Sequence, residues 1–382
     1  MPKKVLMVAG PFHPVPPLRG AAVETWMYEV SKRLTSFEPH IVSIADPFYP
    51  AREHKDGIFF YRIHFSCLYK RLFQKLTKLD PLSYPKRVAR LIAEVDPDIV
   101  HMHQFTRWLD PLAKITRKEG MKTILHMHNE SSVIPETEVD AFVGCSKFIV
   151  DSYNKTPLRS KSASHLYCGV DLTRFMPFWK VQPLREDVRS RFGIGRDEFI
   201  CLYVGRISPE KGVEHFIQSA LLLQETDNVR FFVVGDIPEK GERRRYADDM
   251  IRMAAPLGGK IQFTGVFPPS KMHLLYLLGD LLVLPSNFEE PFSMVGIEAM
   301  ATGLPVIASQ KGGVTEYIID GVNGLFLDGE APADDIAEKI KMLTADRRLR
   351  ETLSRNARTT IEERFSWEKI ASDVERFYSL LK

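Results

Sequence analysis

The stretch DLLVLPSNFEEPFSMVGIEAMATGLPVIAS, residues 280–309, contains the pattern of a strand, a loop, a helix and a second strand. DLLVLPS and LPVIAS are short apolar runs typical of buried strands. Between them SMVGIEAMA has the composition of a helix, and Gly303 and Pro305 mark its end. This order of elements predicts a parallel sheet covered by helices.

Two carboxylates flank the start of this predicted helix. Glu290 lies on the loop, and Glu298 follows on the helix. The first backbone N–H groups of a helix have no internal partner, and the helix dipole favours an anion beside them. We therefore predict that the carboxylates hold a polyol and that the N–H groups of residues 292–295 hold a phosphate.

The alternation of β-rich runs and helical patterns occurs twice along the chain. The first half has predicted strands at KVLMVAG, PHIVSIAD, DIVHMHQ, KTILHMHN and AFVGCS. The second half has them at FICLYVGRI, VRFFVVGD, KIQFTGV, DLLVLPS, LPVIAS and NGLFLD. Because open α/β sheets bind ligands outside the carboxyl ends of their strands, two such sheets that face each other predict a central ligand cleft.

This pattern predicts an α/β protein of two Rossmann-like parallel-sheet domains. We place an N-terminal domain at 1–176 and a C-terminal domain at 177–366. Residues 177–196 are polar and contain two prolines, and we interpret them as an irregular hinge. An amphipathic helix at 367–382 closes the chain, with packing back onto the first domain as one alternative.

Composition excludes several classes of protein. The chain has 382 residues, 44% of them hydrophobic, and a net charge of +3, which is typical of a globular protein. It has no apolar run long enough to span a membrane and no signal-peptide pattern, so we expect a cytoplasmic protein. The cysteines show no CxxC spacing, which favours reduced, buried thiols; they are Cys67, Cys145, Cys168 and Cys201. No nucleic-acid-binding motif is present.

The first predicted strand is followed by GPFHPVPPLRGAA, which lacks the G-x-G-x-x-G pattern of dinucleotide-binding enzymes. The corresponding turn of the second half, GRISPEKG at 205–212, places Arg206 and Lys211 on either side of a predicted helix start. Two cations and free amides together suit a diphosphate. The alternative is a solvated, charged turn.

These motifs resemble those of the retaining nucleotide-sugar glycosyltransferases of family 4, which have the GT-B fold. The resemblance rests on GRISPEKG, on EEPFSMVGIEAMATGLPVIAS with its E-x7-E pattern, and on GGVTEYIIDGVNGLFL. In the first half, PPLRGAAVETWMYEVSKRL is similar to the glycine-bearing first loop and helix of the family. LYCGVDLTRFMP is similar to its linker signature.

The resemblance implies that the N-terminal domain binds the acceptor and that the C-terminal domain binds the donor. It also implies a role for each matching residue. Arg206 and Lys211 would bind the donor diphosphate, Glu290 the hydroxyls of the transferred sugar, and Glu298 the ribose hydroxyls. The catalytic pair would be Glu290 and His128, since a histidine of the family at this strand end contacts the donor sugar. The remaining donor contacts would come from Gly20, Ala21, Val266, Phe292, Ser293, Met294 and Val295.

Three positions depart from the family pattern. Ser293 stands where the family has a glycine, so a side chain would project where room is usual, and this favours an altered sugar preference. Gly20 and Ala21 stand where the family has paired glycines, so Ala21 is the second departure, and Ile237 replaces the glycine after GD. None of these three departures removes a charged residue that the chemistry requires.

Histidines concentrate in the first half. His101 with His103, and His126 with His128, have the spacing of residues on one face of a strand, which would suit a metal if the strands were adjacent. Spacing implies no further ligand and the family needs no metal, so we predict no metal and no cofactor. For His101 and His126 we prefer the interpretation of hydrogen-bonded sheet residues.

Residues 65–92 hold seven Lys and Arg and one acid, Asp80. Within them 65–78 has the spacing of an amphipathic helix with a basic face. One interpretation is a helix docked on its own domain with a solvated basic side. The other is peripheral contact with the inner face of the cell membrane, which would bring the enzyme to lipid-linked acceptors or to an acidic glycan.

We therefore expect a retaining, metal-independent hexosyltransferase that moves a sugar from a UDP- or GDP-linked donor to a glycan or lipid-linked acceptor, in surface polysaccharide or glycolipid synthesis. No covalent nucleophile is evident, which favours same-face attack with the departing phosphate taking the acceptor proton. The alternative is a catalytically inactive relative that serves as a structural or interaction protein of a cell-envelope or coat assembly. An epimerase is disfavoured by the E-x7-E pattern.

Overall fold

The structure is a computed structural model that describes residues 2–18, 20–64, 84–115, 120–329 and 331–381. The predicted basic helix at 65–78 lies outside the described residues. The chain forms two compact units, Met1–Cys168 with Trp367–Lys382 and Gly169–Ser366. This division falls eight residues before the boundary expected from the sequence.

The first unit contains one eight-stranded sheet in the order β3-β4-β2-β1-β5-β6-β7-β8. Five strands lie where the sequence predicts them, and the hairpin β3–β4 and the short strand β8 are additional. The bounds are β1 Lys3–Val8, β2 Phe37–Ile44, β3 Arg52–Lys55, β4 Ile58–Ile63, β5 Ile99–His103, β6 Lys122–Met127, β7 Ala141–Gly144 and β8 Ala163–His165. All pairings are parallel except that of the edge strand β3 with β4.

In the described residues, helices follow four of these eight strands, in segments whose apolar residues recur at helical spacing. The described helices are α1 Ala22–Ser31, α2 Tyr84–Val95, α3 Thr106–Ala113 and α4 Lys147–Asn154. Trp26, Met27 and Val30 of α1 are fully buried, as the sequence pattern predicts. The central strand β1 is buried from Val5 to Val8, which fits a parallel sheet covered on both faces.

The second unit contains a six-stranded parallel sheet in the order β11-β10-β9-β12-β13-β14. All six strands lie where the sequence predicts them. Their bounds are β9 Phe199–Val204, β10 Val229–Val234, β11 Ile261–Gly265, β12 Leu281–Leu284, β13 Val306–Ser309 and β14 Leu325–Leu327. The strand order reverses at β9, which pairs with β10 on one side and with β12 on the other. A topological switch point therefore lies between β9 and β12.

The helices of this unit include one that the sequence analysis missed. They are α5 Gln182–Arg191, α6 Val213–Leu222, α7 Glu242–Ala254, α8 Met272–Tyr276, α9 Met294–Ala301, α10 Pro332–Ala345 and α11 Arg347–Arg364. Helix α5 lies in the segment expected to be an irregular hinge, and that expectation was wrong. Arg185 and Arg189 of this helix bind the carboxylate of Asp280 at 2.5 and 2.9 Å, which anchors it on the second unit.

The C-terminal helix, α12 Trp367–Leu380, belongs to the first unit and packs on α1. Its buried stripe includes Ile370, Val374 and Tyr378. The Tyr378 hydroxyl lies 2.7 Å from Nδ1 of His101, and Arg33 donates to Glu368 at 2.9 Å. Within the described ranges, no helix combines the length and the apolarity needed to cross a membrane.

Candidate active site

The loops after β9 and β12 meet at the switch point of the second unit. The first loop contains a 3-10 turn, Pro209–Lys211, that precedes α6, and the second leads from β12 to α9. Lys211 and Glu290 are 79 positions apart in the chain, yet Lys211 Nζ donates to Glu290 Oε1 at 2.6 Å. The two residues assigned to diphosphate and sugar are therefore direct neighbours.

The Lys211–Glu290 ion pair is set in a polar pocket with an aromatic wall. The Ser286 hydroxyl donates to the same oxygen, Oε1, at 2.6 Å, and the Lys211 ammonium lies 4.7 Å from the centre of the Phe288 ring. Glu290 is 7% exposed. Among the described residues none hydrogen-bonds its second oxygen, Oε2, so this atom can accept a ligand hydroxyl.

Two glycines allow the loops to approach this closely. Gly212 has φ of +66°, and a Cβ there would lie 1.8 Å from the carbonyl oxygen of Pro285. Gly312 has φ of +58°, and a Cβ there would lie 2.2 Å from the carbonyl oxygen of Glu290. The same Glu290 carbonyl accepts from Gly313 N–H at 2.7 Å. Only glycine combines a positive φ with such contacts.

The N-terminus of α9 presents backbone N–H groups beside Glu290. The Ser293 hydroxyl is the cap of this helix and accepts from Gly296 N–H at 3.3 Å. The amides of Met294 and Val295 occupy the first two helical positions, which have no intrahelical acceptor. Ser293 is buried and its hydroxyl bonds to the helix end, which is a structural use that the sequence comparison with the family did not indicate.

Glu298 lies one turn further along α9 and has a different partner. The Tyr276 hydroxyl, on α8, donates to Oε2 of Glu298 at 2.8 Å. Burial of the carboxyl raises the pKa of Glu298 to about 7, although the Tyr276 hydrogen bond and the charge of Arg174 act in the opposite direction. The carboxyl therefore changes its charge near neutral pH.

The other predicted donor contacts of the second unit are more exposed. Arg206 makes a 3.7 Å ion pair with Glu210 and keeps more than half of its side chain exposed. Val266, just after β11, is 64% exposed. The ring of Phe292 packs 5.4 Å from that of Tyr317, and the donor contact that the resemblance assigns to Phe292 is one of its backbone.

The predicted first-loop contacts lie at the start of α1 in the first unit. Ala21 is the residue before this helix and has extended backbone angles. A Cβ at Gly20 would meet no described atom within 4 Å, so the backbone there is open to a ligand. Open space at Gly20 is compatible with its predicted role.

Four histidines of the first unit form one cluster around Trp26. Strand pairing sets His103 of β5 opposite His126 of β6, and the four rings lie 4.8 to 6.1 Å from the Trp26 ring. The predicted common face is confirmed. His103 Nδ1 lies 3.1 Å from His128 Nε2. His128 is therefore a member of this cluster. It also lies directly after β6, at the strand end where the family resemblance placed the catalytic histidine.

The prediction of hydrogen-bonded sheet histidines is right for His101 and wrong for His126. His101 contacts the Tyr378 hydroxyl, whereas neither ring nitrogen of His126 has a partner among the described residues. Stacked histidine rings and Trp26 surround His126 and leave no acceptor within reach. Burial lowers the pKa of His101 and of His128 to about 3, and it lowers the pKa of His103 and His126 well below the usual value.

These histidines are also the residues best placed to hold a metal. Ligand atoms of His101, His103 and His126 lie within 4.8 Å of one another, so the chain does bring a third histidine to the predicted pair. Neutral imidazole is the form that binds metals. A tetrahedral zinc site with bonds of about 2.0–2.1 Å needs nitrogens about 3.4 Å apart, so the rings would have to move together.

Sequence reasoning missed Ser286 and Tyr276 at the site. Ser286 ends the run DLLVLPS at the carboxyl end of a strand, where ligands bind in such sheets, so a signal was present. Tyr276 carries no signal in the sequence, because its contact with Glu298 depends on the packing of α8 against α9. Glu24 of α1 was also overlooked, although it is 5% exposed and lines a cavity at the carboxyl ends of β1, β5 and β6.

Two family models match the sequence of this chain. The family model described as Glycosyltransferase Family 4 matches residues 23–174, and the model described as Glycosyl transferases group 1 matches residues 185–360. Together the two matches cover most of each compact unit. The E-x7-E stretch and GRISPEKG lie inside the second match.

Similar proteins extend over the whole chain. It is 33% identical to the lipopolysaccharide 1,2-N-acetylglucosaminetransferase of Salmonella typhimurium, with 98% of both chains covered. It is 27% identical to spore coat protein SA of Bacillus subtilis, over 98% of this chain and 99% of that one. The solved structure of Anabaena HepE in complex with UDP and glucose has a TM-score of 0.77 at 19% identity, with 99% of both chains covered. The chain therefore belongs to the glycosyltransferases of family 4 and has the GT-B fold, with two Rossmann-like parallel-sheet domains.

Proposed function

We propose that this glycosyltransferase transfers a sugar from a nucleotide-diphosphate donor to a hydroxyl acceptor with retention of configuration. The observation that carries the proposal is the Lys211–Glu290 ion pair at the switch point, where a cation and a carboxylate are held 2.6 Å apart beside a helix N-terminus. Sugar hydroxyls and phosphate oxygens of one donor would meet both groups at once. The HepE structure contains UDP and glucose, which supports a UDP-linked donor, with GDP as the alternative base.

Each group of the site would have a separate task. Negative charge grows on the diphosphate as the glycosidic bond breaks, and Lys211, Arg206 and the amides of α9 would stabilise it more strongly in the transition state than in the ground state. Glu290 Oε2 would hold the sugar hydroxyls. Neutral His128 would contact the sugar ring, as the family resemblance implies. The same-face route lets the departing phosphate oxygen take the acceptor proton.

We propose that this chemistry needs no metal, because side-chain cations and helix amides supply the positive charge that the leaving group requires. The reaction would occur in the cytoplasm. The Salmonella typhimurium relative is named for lipopolysaccharide, which supports a surface glycan or a lipid-linked glycan as the acceptor. We propose peripheral contact of residues 65–92 with the membrane from the basic composition of this segment alone.

A structural role in a coat is the second candidate, since spore coat protein SA is similar along the whole chain. A structural coat protein has no need for a buried ion pair at the carboxyl ends of the strands. Nor does it need a carboxylate such as Glu290, one oxygen of which has no hydrogen-bond partner among the described residues. The Lys211–Glu290 arrangement therefore favours the enzyme.

Binding of a nucleotide sugar tests the proposal directly. We expect at least one member of a panel of UDP-, GDP- and ADP-sugars to raise the melting temperature, because a ligand at 100 times its Kd stabilises by about 2.7 kcal/mol. The measurement is a thermal melt of the full chain, followed by product analysis with the best donor. Melting curves unchanged by every nucleotide sugar would contradict donor binding and favour the coat protein.

The titration of Glu298 predicts how donor affinity depends on pH. An ionised Glu298 accepts hydrogen bonds from ribose hydroxyls, and its pKa is about 7, so it is mostly protonated at pH 6 and mostly ionised at pH 8. We expect the affinity for the donor to rise by up to about tenfold over this range. Calorimetry should use a nucleotide sugar, because the terminal phosphate of a free nucleoside diphosphate titrates near pH 6. The Glu298→Gln variant should lose the pH dependence, and an unchanged profile in that variant would refute the assignment.

A further inference from the structure

Asn287 lies on the loop after β12 and bonds to the loop after β9 through both its backbone and its side chain. Its backbone N–H donates to the Glu210 carbonyl at 2.9 Å, and its side-chain nitrogen Nδ2 donates to the Pro209 carbonyl at 2.8 Å. These are the two carbonyls that directly precede Lys211 in the chain. Asn287 therefore fixes the peptide groups from which the Lys211 side chain projects.

The Asn287 side chain also bonds to the first turn of α6. Nδ2 donates to Glu214 Oε1 at 2.8 Å, and Asn287 Oδ1 lies 2.9 Å from His215 Nε2. Because Nδ2 faces two acceptors, the orientation of the amide is determined, and His215 Nε2 is the donor to Oδ1. The Tyr246 hydroxyl, on α7, donates to the other oxygen of Glu214. One side chain thus joins the loop after β12 to two consecutive segments of the chain after β9.

The backbone of Asn287 is anchored from a third direction. Its carbonyl accepts from the Lys311 ammonium at 3.0 Å. The next residue, Phe288, packs its ring 4.7 Å from the Lys211 ammonium, and Glu290 on the same loop accepts from that ammonium. The position of Asn287 therefore affects both sides of the Lys211–Glu290 ion pair.

These hydrogen bonds contribute more to geometry than to stability. Asn287 is exposed, so water could satisfy its polar groups almost as well as the protein does, and the bonds add little to the free energy of unfolding. Lys211, in contrast, bears its charge on a long, flexible stem. A fixed backbone at Lys211 limits the positions that its ammonium can reach.

We propose that Asn287 is a positioning residue of the donor site: it fixes the turn that bears Lys211, so that the ammonium stays beside Glu290 and meets the donor diphosphate. This role rests on the transferase function proposed above and adds to it a residue that joins the two loops of the site. Asn287 touches neither sugar nor diphosphate and acts through Lys211. Glu214 and His215 in turn hold the Asn287 amide.

Calorimetry with UDP, GDP and ADP tests this role without the need for an acceptor, and the diphosphate that binds the wild-type chain most tightly is the probe. We expect Lys211→Ala to weaken its binding by about 10- to 100-fold, the range for a lost charge-assisted hydrogen bond. Asn287→Ala should weaken it by about 3- to 10-fold, the range for one neutral hydrogen bond, because the ammonium remains but is less well held. In the Lys211→Ala background, Asn287→Ala should have no further effect.

Two controls separate positioning from a general loss of hydrogen bonds. Asn356, on α11 of the same unit, donates through its side-chain nitrogen to the Val322 carbonyl at 2.8 Å, and Asn356→Ala should bind the probe as the wild type does. Glu214→Ala and Glu214→Gln remove the same charge, but only the second keeps an oxygen that can accept from Asn287. The affinity should therefore be higher in Glu214→Gln than in Glu214→Ala, and this difference should vanish when Asn287→Ala is added.

Two outcomes would overturn the role of Asn287: an affinity of Asn287→Ala equal to that of Asn356→Ala, or equal losses from Asn287→Ala in the presence and in the absence of Lys211. Thermal melts of the same variants verify that each is folded at the temperature of the titration. A wild-type chain that bound none of the three diphosphates would instead overturn the donor assignment on which this role rests, so the two failures are distinguishable.

Discussion

Replacement of Lys211 by alanine is expected to lower kcat/KM for sugar transfer by about 100- to 1,000-fold, the range observed when one preorganised donor to a developing anion is removed. The ammonium is held 2.6 Å from Glu290 Oε1 and would meet the leaving diphosphate. Without the ammonium, the buried Glu290 carboxylate would repel the negative charge of the leaving diphosphate. The measurement is steady-state kinetics with the donor identified by the thermal melts.

The same substitution is expected to destabilise the second unit. Removal of one partner of a buried pair leaves an uncompensated charge, at a cost of about 3–5 kcal/mol. We expect the lower end, because the Lys211 side chain is 22% exposed. The double variant Lys211→Ala, Glu290→Gln should recover most of the stability, because no buried charge remains, and should not recover activity.

A matched control separates the loss of this ion pair from the general loss of a lysine. Lys260 belongs to the same unit and donates to the Thr226 carbonyl at 2.8 Å, away from the loops of the site. Lys260→Ala should therefore leave kcat/KM within about twofold of the wild type, as expected for a substitution away from such features. If Lys211→Ala transferred sugar as fast as Lys260→Ala, the assignment of Lys211 to the diphosphate would be wrong.

Acidification from pH 7 to pH 5 is expected to destabilise the first unit by several kcal/mol. The folded state lowers the pKa of His101 and of His128 from the ordinary value of 6.5 to about 3. The folded form therefore keeps these rings neutral while the unfolded chain binds protons. The stabilisation is fully present above pH 6.5, and each ring loses about 1.4 kcal/mol per pH unit as the pH falls from 6.5 toward 3.

Hydrogen exchange can assign this acid sensitivity to the histidine cluster. Amide protection of β5 and β6 should fall between pH 7 and pH 5, while protection of β9 and β12 in the second unit should change less. His126→Leu replaces a ring whose two nitrogens have no partner among the described residues by an apolar side chain. This substitution should therefore reduce the pH dependence of the amide protection of β5 and β6. His54→Gln, at an exposed position of the same unit, is the control and should leave it unchanged. Equal pH dependence in all three proteins would exclude the cluster as the cause.

The sequence predicted the elements of the fold well because local patterns encode them. Short apolar, β-rich runs identify eleven strands, and each of these strands overlaps its predicted run. The strand β3 was missed because REHK is charged and exposed, and its only pairing is at the edge of the sheet. Helix α5 was missed because its prolines and charges resemble a linker, while the contacts of Arg185 and Arg189 with Asp280 that hold it are distant in the chain.

For the site, the sequence predicted which residues bear the chemistry but not how they are paired. Lys211, Glu290 and Glu298 were chosen from the residue types and their positions beside predicted strands and helices. Tyr276 and the histidine contacts of Trp26 and Tyr378 followed from no local signal, because each joins separate elements. Glu24 looked like an ordinary polar residue of an amphipathic helix, and only its burial in the cavity distinguishes it.

The sequence alone therefore determined that two parallel α/β sheets form and that a loop with cations and a loop with carboxylates follow two of the strands, since periodicity and turn chemistry act over a few residues. Tertiary structure decided that β9 lies beside β12, which brings Lys211 to Glu290 across 79 positions. It also decided that α12 packs on α1 and places Tyr378 against His101. The physical reason is that strand order and helix packing minimise the exposed apolar surface of a whole unit, and no short segment contains that information.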